Sequence, residues 1–368
     1  MNILSLFDGI SCARVALERA GIPVTKYYAS EIDKNAIAVV VKNYPDTIQL
    51  GDIKNILPQH RIAQTKHAKF IPKLTYADSI DLIIGGSPCQ DLSIAQKNRK
   101  GLDGERSGLF WEYVRILKEV KPKWFILENV ASMSKEAKEV ITRELGVEPI
   151  MINAALVSAQ NRKRLFWTNI PNISQPDDRG IFLKDILEES VDEKYFFNEK
   201  RTQYVLNRPK NYAVKINPKK TNTLRTNYGN ASANETYVTT KRIGQIGKGG
   251  QGDRIYSPEG KSVGLSALGG GRGAKTGLYI VQTPRGKNAG GKRALNGKVP
   301  TLSSSSWEHN NKLSENEIIR KLTPVECERL QSLPDNYTEG VSNTQRYKAL
   351  GNAFNVEVVA HILKGIAN

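Results

Sequence analysis

The sequence predicts an α/β protein: a doubly wound, parallel-rich sheet with a smaller loop-rich β insert. Three observations carry this reading. From residue 1 to about 169, short apolar runs alternate with amphipathic helical patterns, the signature of βαβ units. The first apolar run leads into a glycine turn and a later one is broken by glycine, as expected where a sheet meets a ligand crevice. From about residue 197 to 312 the periodicity changes: short apolar pieces are separated by Gly, Asn, Ser and Lys clusters, and 17 of the 30 glycines lie between Gly229 and Gly297.

Taken in order, Ile3-Leu4-Ser5-Leu6-Phe7 is a short buried strand running into Asp8-Gly9-Ile10-Ser11. A helical pattern follows in Ala13, Val15, Ala16, Leu17 and Ala20, with a stop at Gly21. Residues 27–32 form a second strand, 36–44 a second helix, and 81–86 a third strand. Residues 110–120 read as a helix closed by Lys121-Pro122. Further strands fall at 124–127, 149–152 and 165–168. Beyond the insert, Leu322-Thr323-Pro324-Val325-Glu326-Cys327 opens a helix with proline in its first turn, and 352–364 is a closing amphipathic helix. The boundaries that follow are 1–170, 171–315 and 316–368, the last segment returning to the first domain.

Charge narrows the function. The net charge is +17, and residues 200–300 hold 20 basic against 3 acidic residues, so the insert carries the whole excess. Such a field suits a polyanion, DNA or RNA, although a solvated basic face for solubility is the bland alternative. A weak repeat runs through the insert, at 220–224, 260–266 and 297–303, each copy ending in a polar or glycine-rich loop; hairpins recurring by chance in a biased segment would look the same. The three cysteines are far apart and the four histidines form no pair, which predicts neither a disulfide framework nor a structural metal site. No apolar run approaches the roughly 18 residues of a membrane span, and the N-terminus lacks signal-peptide features. A reducing cytoplasm is expected.

Four segments carry candidate chemistry. Phe7-Asp8-Gly9-Ile10-Ser11, between first strand and first helix, either admits a nucleotide-like ligand or is only a tight bend. Glu31 and Asp52 stand where acceptors for ribose hydroxyls or an adenine amine would be needed. In Gly85-Gly86-Ser87-Pro88-Cys89-Gln90, a cysteine just past a buried strand is placed like a nucleophile; a small buried apolar residue is the alternative. Glu128 ends another strand and can serve as an acid. In Gln160-Asn161-Arg162-Lys163-Arg164, alternation puts Gln160, Arg162 and Arg164 on one side, as a clamp for an anionic group or as a solvated basic turn.

In this order the segments resemble the cytosine-C5 DNA methyltransferases. Phe7-Asp8-Gly9 matches the first methyl-donor motif, Glu31 and Asp52 the next two, and Pro88-Cys89-Gln90 the nucleophile loop. Glu128-Asn129-Val130, Gln160 to Arg164, the segment from Leu322 and Gly351-Asn352-Ala353-Phe354 match the rest. The resemblance implies a Rossmann-like S-adenosylmethionine-dependent methyltransferase domain and a target-recognition domain in the insert. It implies Cys89 as nucleophile, Glu128 at N3 of a flipped cytosine, Arg162 supporting the nucleophile loop and Arg164 holding the base or Glu128. Phe7, Gly9, Glu31, Ile32, Asp52, Ile53, Pro88, Leu109 and Asn352 would contact S-adenosylmethionine, with no metal. Gln90 and Ser93 would contact double-stranded DNA; in the insert, where resemblance says least, Arg225 and Arg272 in loops after the repeat copies are expected to read bases, because arginine offers bidentate contacts to guanine. A cytoplasmic, nucleoid-associated monomer is expected, with any cognate restriction endonuclease acting separately and no membrane partner. Ser11 and Cys12 depart from the usual further glycines, and Ser87 takes a place often held by phenylalanine. A tRNA cytosine-C5 methyltransferase is the alternative. An inactive homologue would be expected to lack Cys89 or Glu128, and both are present.

Overall fold

A computed structural model describes residues 1–56, 79–88, 108–198, 201, 215–224, 226, 228, 236–245, 254–256, 279–282, 291–294 and 316–367. The chain divides into two compact units, one made of Met1–Ile186, Lys219–Tyr228 and Pro324–Asn368, the other of Leu187–Pro218 and Gly229–Thr323.

The first unit is built on a seven-stranded sheet. Its strands are β1 (Asn2–Leu6), β2 (Lys26–Ser30), β3 (Ile48–Gln49), β4 (Leu82–Gly86), β5 (Trp124–Val130), β6 (Ile150–Asn153) and β7 (Lys163–Thr168), in the order β3-β2-β1-β4-β5-β7-β6. β1 to β5 run parallel, whereas β7 is antiparallel to both its neighbours. Its helices are α1 (Cys12–Arg19), α2 (Lys34–Asn43), α3 (Leu109–Val120), α4 (Lys135–Leu145), the single turn α5 (Leu183–Ile186), α6 (Pro324–Leu330), α7 (Asn343–Asn352) and α8 (Val356–Ala367). One face of the sheet presents Leu4, Leu6, Ile83, Phe125, Leu127 and Trp167 to Phe110, Tyr113, Ile116, Ile141 and Leu145 of α3 and α4. By the two-residue alternation of a strand, Ile3, Tyr27, Ala29, Ile84 and Ile126 face the other way, and they are equally buried. Both faces are therefore covered, which is why these strands read as continuous apolar runs.

The structure departs from the sequence reading in several places: α4, α7 and β3 lie in stretches to which that reading gives no element, and β2 ends at Ser30, two residues short of the expected strand. β5 runs on to Val130, so Glu128 and Asn129 lie inside the strand, and not beyond its end. Asn352 closes α7, and the last helix begins only at Val356. The first unit also reaches past residue 170 to Ile186, resumes at Pro324, and takes in Lys219–Tyr228 from within the insert. That stretch docks by backbone pairing: Thr221 N donates to Ala159 O (2.8 Å), Asn161 N to Thr221 O (3.0 Å) and Leu183 N to Lys219 O (2.8 Å). Its sequence, Lys220-Thr221-Asn222-Thr223, is as polar as the insert around it, so composition carries no mark of the return.

The second unit is β-rich. β9 (Thr236–Gln245) pairs antiparallel with β13 (Asn316–Lys321) and β10 (Arg254–Tyr256), and parallel with β8 (Lys215–Ile216); β11 (Tyr279–Gln282) and β12 (Gly291–Ala294) form an antiparallel pair. The second and third copies of the repeat lie outside the described residues.

Candidate active site

From β1 the chain winds to β2 and β3 on one side of the sheet, then crosses to β4 on the other. A crevice follows beyond the carboxyl ends of β1 and β4, where doubly wound sheets take their ligands. A cavity of about 320 Å³ lies there. Its wall brings together Phe7, Gly9, Glu31, Ile32, Asp52, Ile53, Pro88, Leu109, Glu128, Arg162, Arg164 and Asn352, all of them singled out from the sequence. Cys89, Gln90, Ser93, Arg225 and Arg272 lie outside the described residues.

The turn after β1 is shaped for close approach. Phe7, Gly9 and Ser11 all take left-handed backbone, φ 58°, 60° and 55°. Glycine adopts this freely, but the other two carry strain of order 1–3 kcal/mol each, of the kind that gathers at functional sites. Asp8 secures the turn from beneath, accepting hydrogen bonds from Tyr27 OH (2.7 Å) and Ser11 Oγ. Burial pushes the Asp8 carboxyl above the usual carboxylate range. Glu31 is pinned by three backbone donors: Gly9 N to Oε2 (2.8 Å), and Ile32 N (2.7 Å) and Asp33 N (2.8 Å) to Oε1. Asp52 accepts from Lys54 N (3.0 Å) and caps a short 3₁₀ turn. Beside these acceptors Ile32 is 71% exposed, an apolar surface on the cavity wall. Asp33 caps α2 and pairs with Lys348 of α7 (2.6 Å). The hydrogen bond from Lys348 holds its carboxyl below the usual range.

Opposite lies the acid. Glu128 of β5 stands in register with Gly86 of β4, and a Cβ at Gly86 would sit 2.8 Å from Glu128 Oε2. Glycine is required there to let the carboxylate lie across the strand. Arg164 Nε is 2.6 Å from Glu128 Oε1. The pair is close in charge but misaligned, since this buried oxygen has no hydrogen-bond donor among the described residues. Arg162, 3% exposed, donates to the carbonyls of Gly351 (3.2 Å) and Ala353 (2.6 Å), flanking Asn352, and to Leu224 O (3.4 Å) of the docked stretch. It thus braces the cavity wall at the end of α7.

Sequence reasoning missed Lys348, Gly86 as the partner of Glu128, and Leu224 under Arg162. Only Gly86 carried a usable signal, a second glycine ending a strand directly before the Pro-Cys pair.

A model of the C-5 cytosine-specific DNA methylase family matches residues 1–368. The chain is 28% identical over 386 residues to the type II methyltransferase M.HhaI of Haemophilus parahaemolyticus, covering 100% of this chain and 94% of that protein. It is likewise 28% identical over 449 residues to the orphan methyltransferase M.SPRI of Bacillus phage SPR, covering 99% and 97%. Among solved structures, the Entamoeba histolytica methyltransferase EhMeth superposes with a TM-score of 0.62 at 15% identity, covering 100% of this chain and 97% of that one, a likeness of fold. The family match across the whole chain agrees with the order of motifs and with the crevice geometry. The chain belongs to the C-5 cytosine-specific DNA methylase family and is a DNA cytosine-5 methyltransferase of Rossmann-like fold.

Proposed function

We propose that this methyltransferase acts on a flipped cytosine through a covalent Cys89 adduct, with Glu128 as its acid and the β1–β4 crevice as its donor site. One observation carries the reading: Glu128, Arg164 and the acceptors Glu31 and Asp52 line a single cavity, at the point where the chain leaves β4 three residues before Cys89.

The cavity fits S-adenosylmethionine. Its volume lies in the small-molecule range. Glu31 and Asp52 supply acceptors for ribose hydroxyls and an adenine amine, Phe7, Ile32, Ile53 and Leu109 supply apolar contact, and Gly9, Pro88 and Asn352 complete the wall. When bound, this donor supplies an electrophilic methyl group. The residues of the chain do the rest. C5 of cytosine is too weak a nucleophile to take the methyl directly, so the Cys89 thiolate adds to C6 while Glu128 protonates or hydrogen-bonds N3. C5, now enamine-like, would take the methyl group as the donor's sulfonium sulfur keeps the electron pair of the broken bond and leaves as a thioether; loss of the C5 proton to a base or solvent, with return of any N3 proton to Glu128, restores the ring double bond and expels Cys89 as thiolate. Arg164 holds the Glu128 carboxylate, and Arg162 braces the wall.

The substrate reading rests on charge. The basic insert supplies phosphate contacts, with Gln90, Ser93, Arg225 and Arg272 at the base and groove. The same reading takes the enzyme as a monomer working at the cytoplasmic nucleoid. A cognate restriction endonuclease would then be a separate protein. The tRNA alternative has less behind it, because the family model that matches the full chain is one of DNA methylases.

Expression in a host free of cytosine methylation, followed by base-resolution sequencing, tests the reading. C5-methylated cytosine in one fixed DNA context is expected; methylation found in tRNA alone would overturn it.

A further inference from the structure

The chain leaves the sheet towards Cys89 through two residues, Ser87 and Pro88. The paired register of β4 and β5 ends at the Gly86–Glu128 rung, one residue before Ser87. A side chain continues the ladder. Asn129, fully buried, donates from Nδ2 to both Ser87 Oγ (3.1 Å) and Ser87 O (3.3 Å), while its Oδ1 accepts from Val130 N (2.8 Å). Both ends of the Asn129 amide are thereby committed, and Ser87, 4% exposed, is fixed to the residue that follows Glu128.

Proline makes the consequence directional. Pro88 locks its own φ and restricts Ser87 before it to extended backbone. It also has no N–H with which to rejoin the sheet. With Ser87 anchored and Pro88 stiff, the direction in which the chain sets out towards residue 89 is set by the Ser87–Asn129 pair.

We infer that Ser87 is a positioning residue: its hydroxyl, held by Asn129, fixes where the segment that leads to Cys89 leaves the sheet. The inference rests on Cys89 being the nucleophile. Misplacing a reacting group by about 1 Å can cost on the order of 10²-fold in rate. Loss of one of the two anchoring bonds should therefore slow chemistry without loosening either substrate.

The test measures single-turnover trapping on duplex DNA carrying 5-fluorocytosine in the recognition site, beside steady-state methyl transfer. Ser87→Ala is expected to trap roughly 10- to 100-fold more slowly and to lower kcat in proportion, with KM for S-adenosylmethionine and for DNA within about twofold of wild type. Ser87→Thr, which keeps the oxygen, should recover most of the rate; a merely space-filling role would instead be rescued by Ser87→Cys and not by threonine. Trapping by Ser87→Ala at the wild-type rate, or a change confined to KM, overturns the inference. Cys89→Ala run in parallel separates the two readings: if it too forms the adduct, the nucleophile assignment fails, and if it does not while Ser87→Ala is unimpaired, only the positioning role fails.

Discussion

Gly86→Ala isolates the geometry of the acid. An added Cβ would stand 2.8 Å from Glu128 Oε2, with Glu128 O and Cβ at 3.6 and 3.8 Å. The last two are ordinary van der Waals contacts, so the backbone need not move. Only the carboxylate must, and restoring a normal separation takes about 0.6–1 Å, the shift that can cost on the order of 10²-fold in rate. Because the displaced atom is the end of a rotatable side chain, the fold is spared, and alanine in a strand is intrinsically better than glycine by roughly 0.5–1 kcal/mol. The expected variant is therefore as stable as wild type or slightly more so, with kcat reduced about 30- to 300-fold. Thermal unfolding and transfer of a labelled methyl group to DNA measure the two quantities. Activity within threefold of wild type, in a protein of unchanged stability, would refute the claim that the Glu128 carboxylate must lie across Gly86.

Other outcomes follow from the same structure. Glu328 is fully buried and accepts from Asn336 N (2.7 Å), Thr338 N (2.8 Å) and Arg346 Nη2 (2.8 Å), so Glu328→Ala strands a buried cation and should cost about 3–5 kcal/mol in denaturant unfolding. Asp8 has its folded-state pKa raised by burial; between the ordinary carboxylate value and the raised one the folded chain holds more protons, so stability falls as pH rises through that window, and Asp8→Asn should flatten the slope. Lys219 is exposed, and Lys219→Ala should weaken binding to all DNA sequences alike and reduce the salt slope by about one unit, whereas Arg225→Ala or Arg272→Ala should change which sites are methylated. Site preference surviving both arginine substitutions would count against their base-reading role.

Much of the catalytic unit was legible because its strands are buried on both faces and its helices are amphipathic, so apolar runs and stops stand out. Glu31 was legible for the same reason, since it directly follows the buried strand β2, whereas the strand before Asp52, β3, has two residues, one exposed and one half-buried, and leaves no apolar run. α7 was not, since Asn343-Thr344-Gln345-Arg346-Tyr347-Lys348-Ala349-Leu350-Gly351-Asn352 has little apolar periodicity; it is held by contacts from elsewhere, such as the Arg346–Glu328 pair. Long-range partners were equally silent. Nothing in the local sequence says that Arg162 will find the carbonyls of Leu224, Gly351 and Ala353, or that Lys348 will meet Asp33 across 315 residues of chain. β7 runs antiparallel because a short connection from β6 lets the chain turn back beside it, whereas the apolar run alone looks the same in either direction.

Covalent catalysis by Cys89 would be visible in the mass of the complex formed with duplex DNA carrying 5-fluorocytosine in the methylated site, with S-adenosylmethionine present. Fluorine at C5 leaves no proton to remove, so the chain should stay bonded to C6 after methyl transfer. A stable adduct is expected whose peptide map places the bond on Cys89, absent from Cys89→Ala and retained in Cys12→Ala and Cys327→Ala. An adduct on another residue, or methyl transfer that persists in Cys89→Ala, would contradict it.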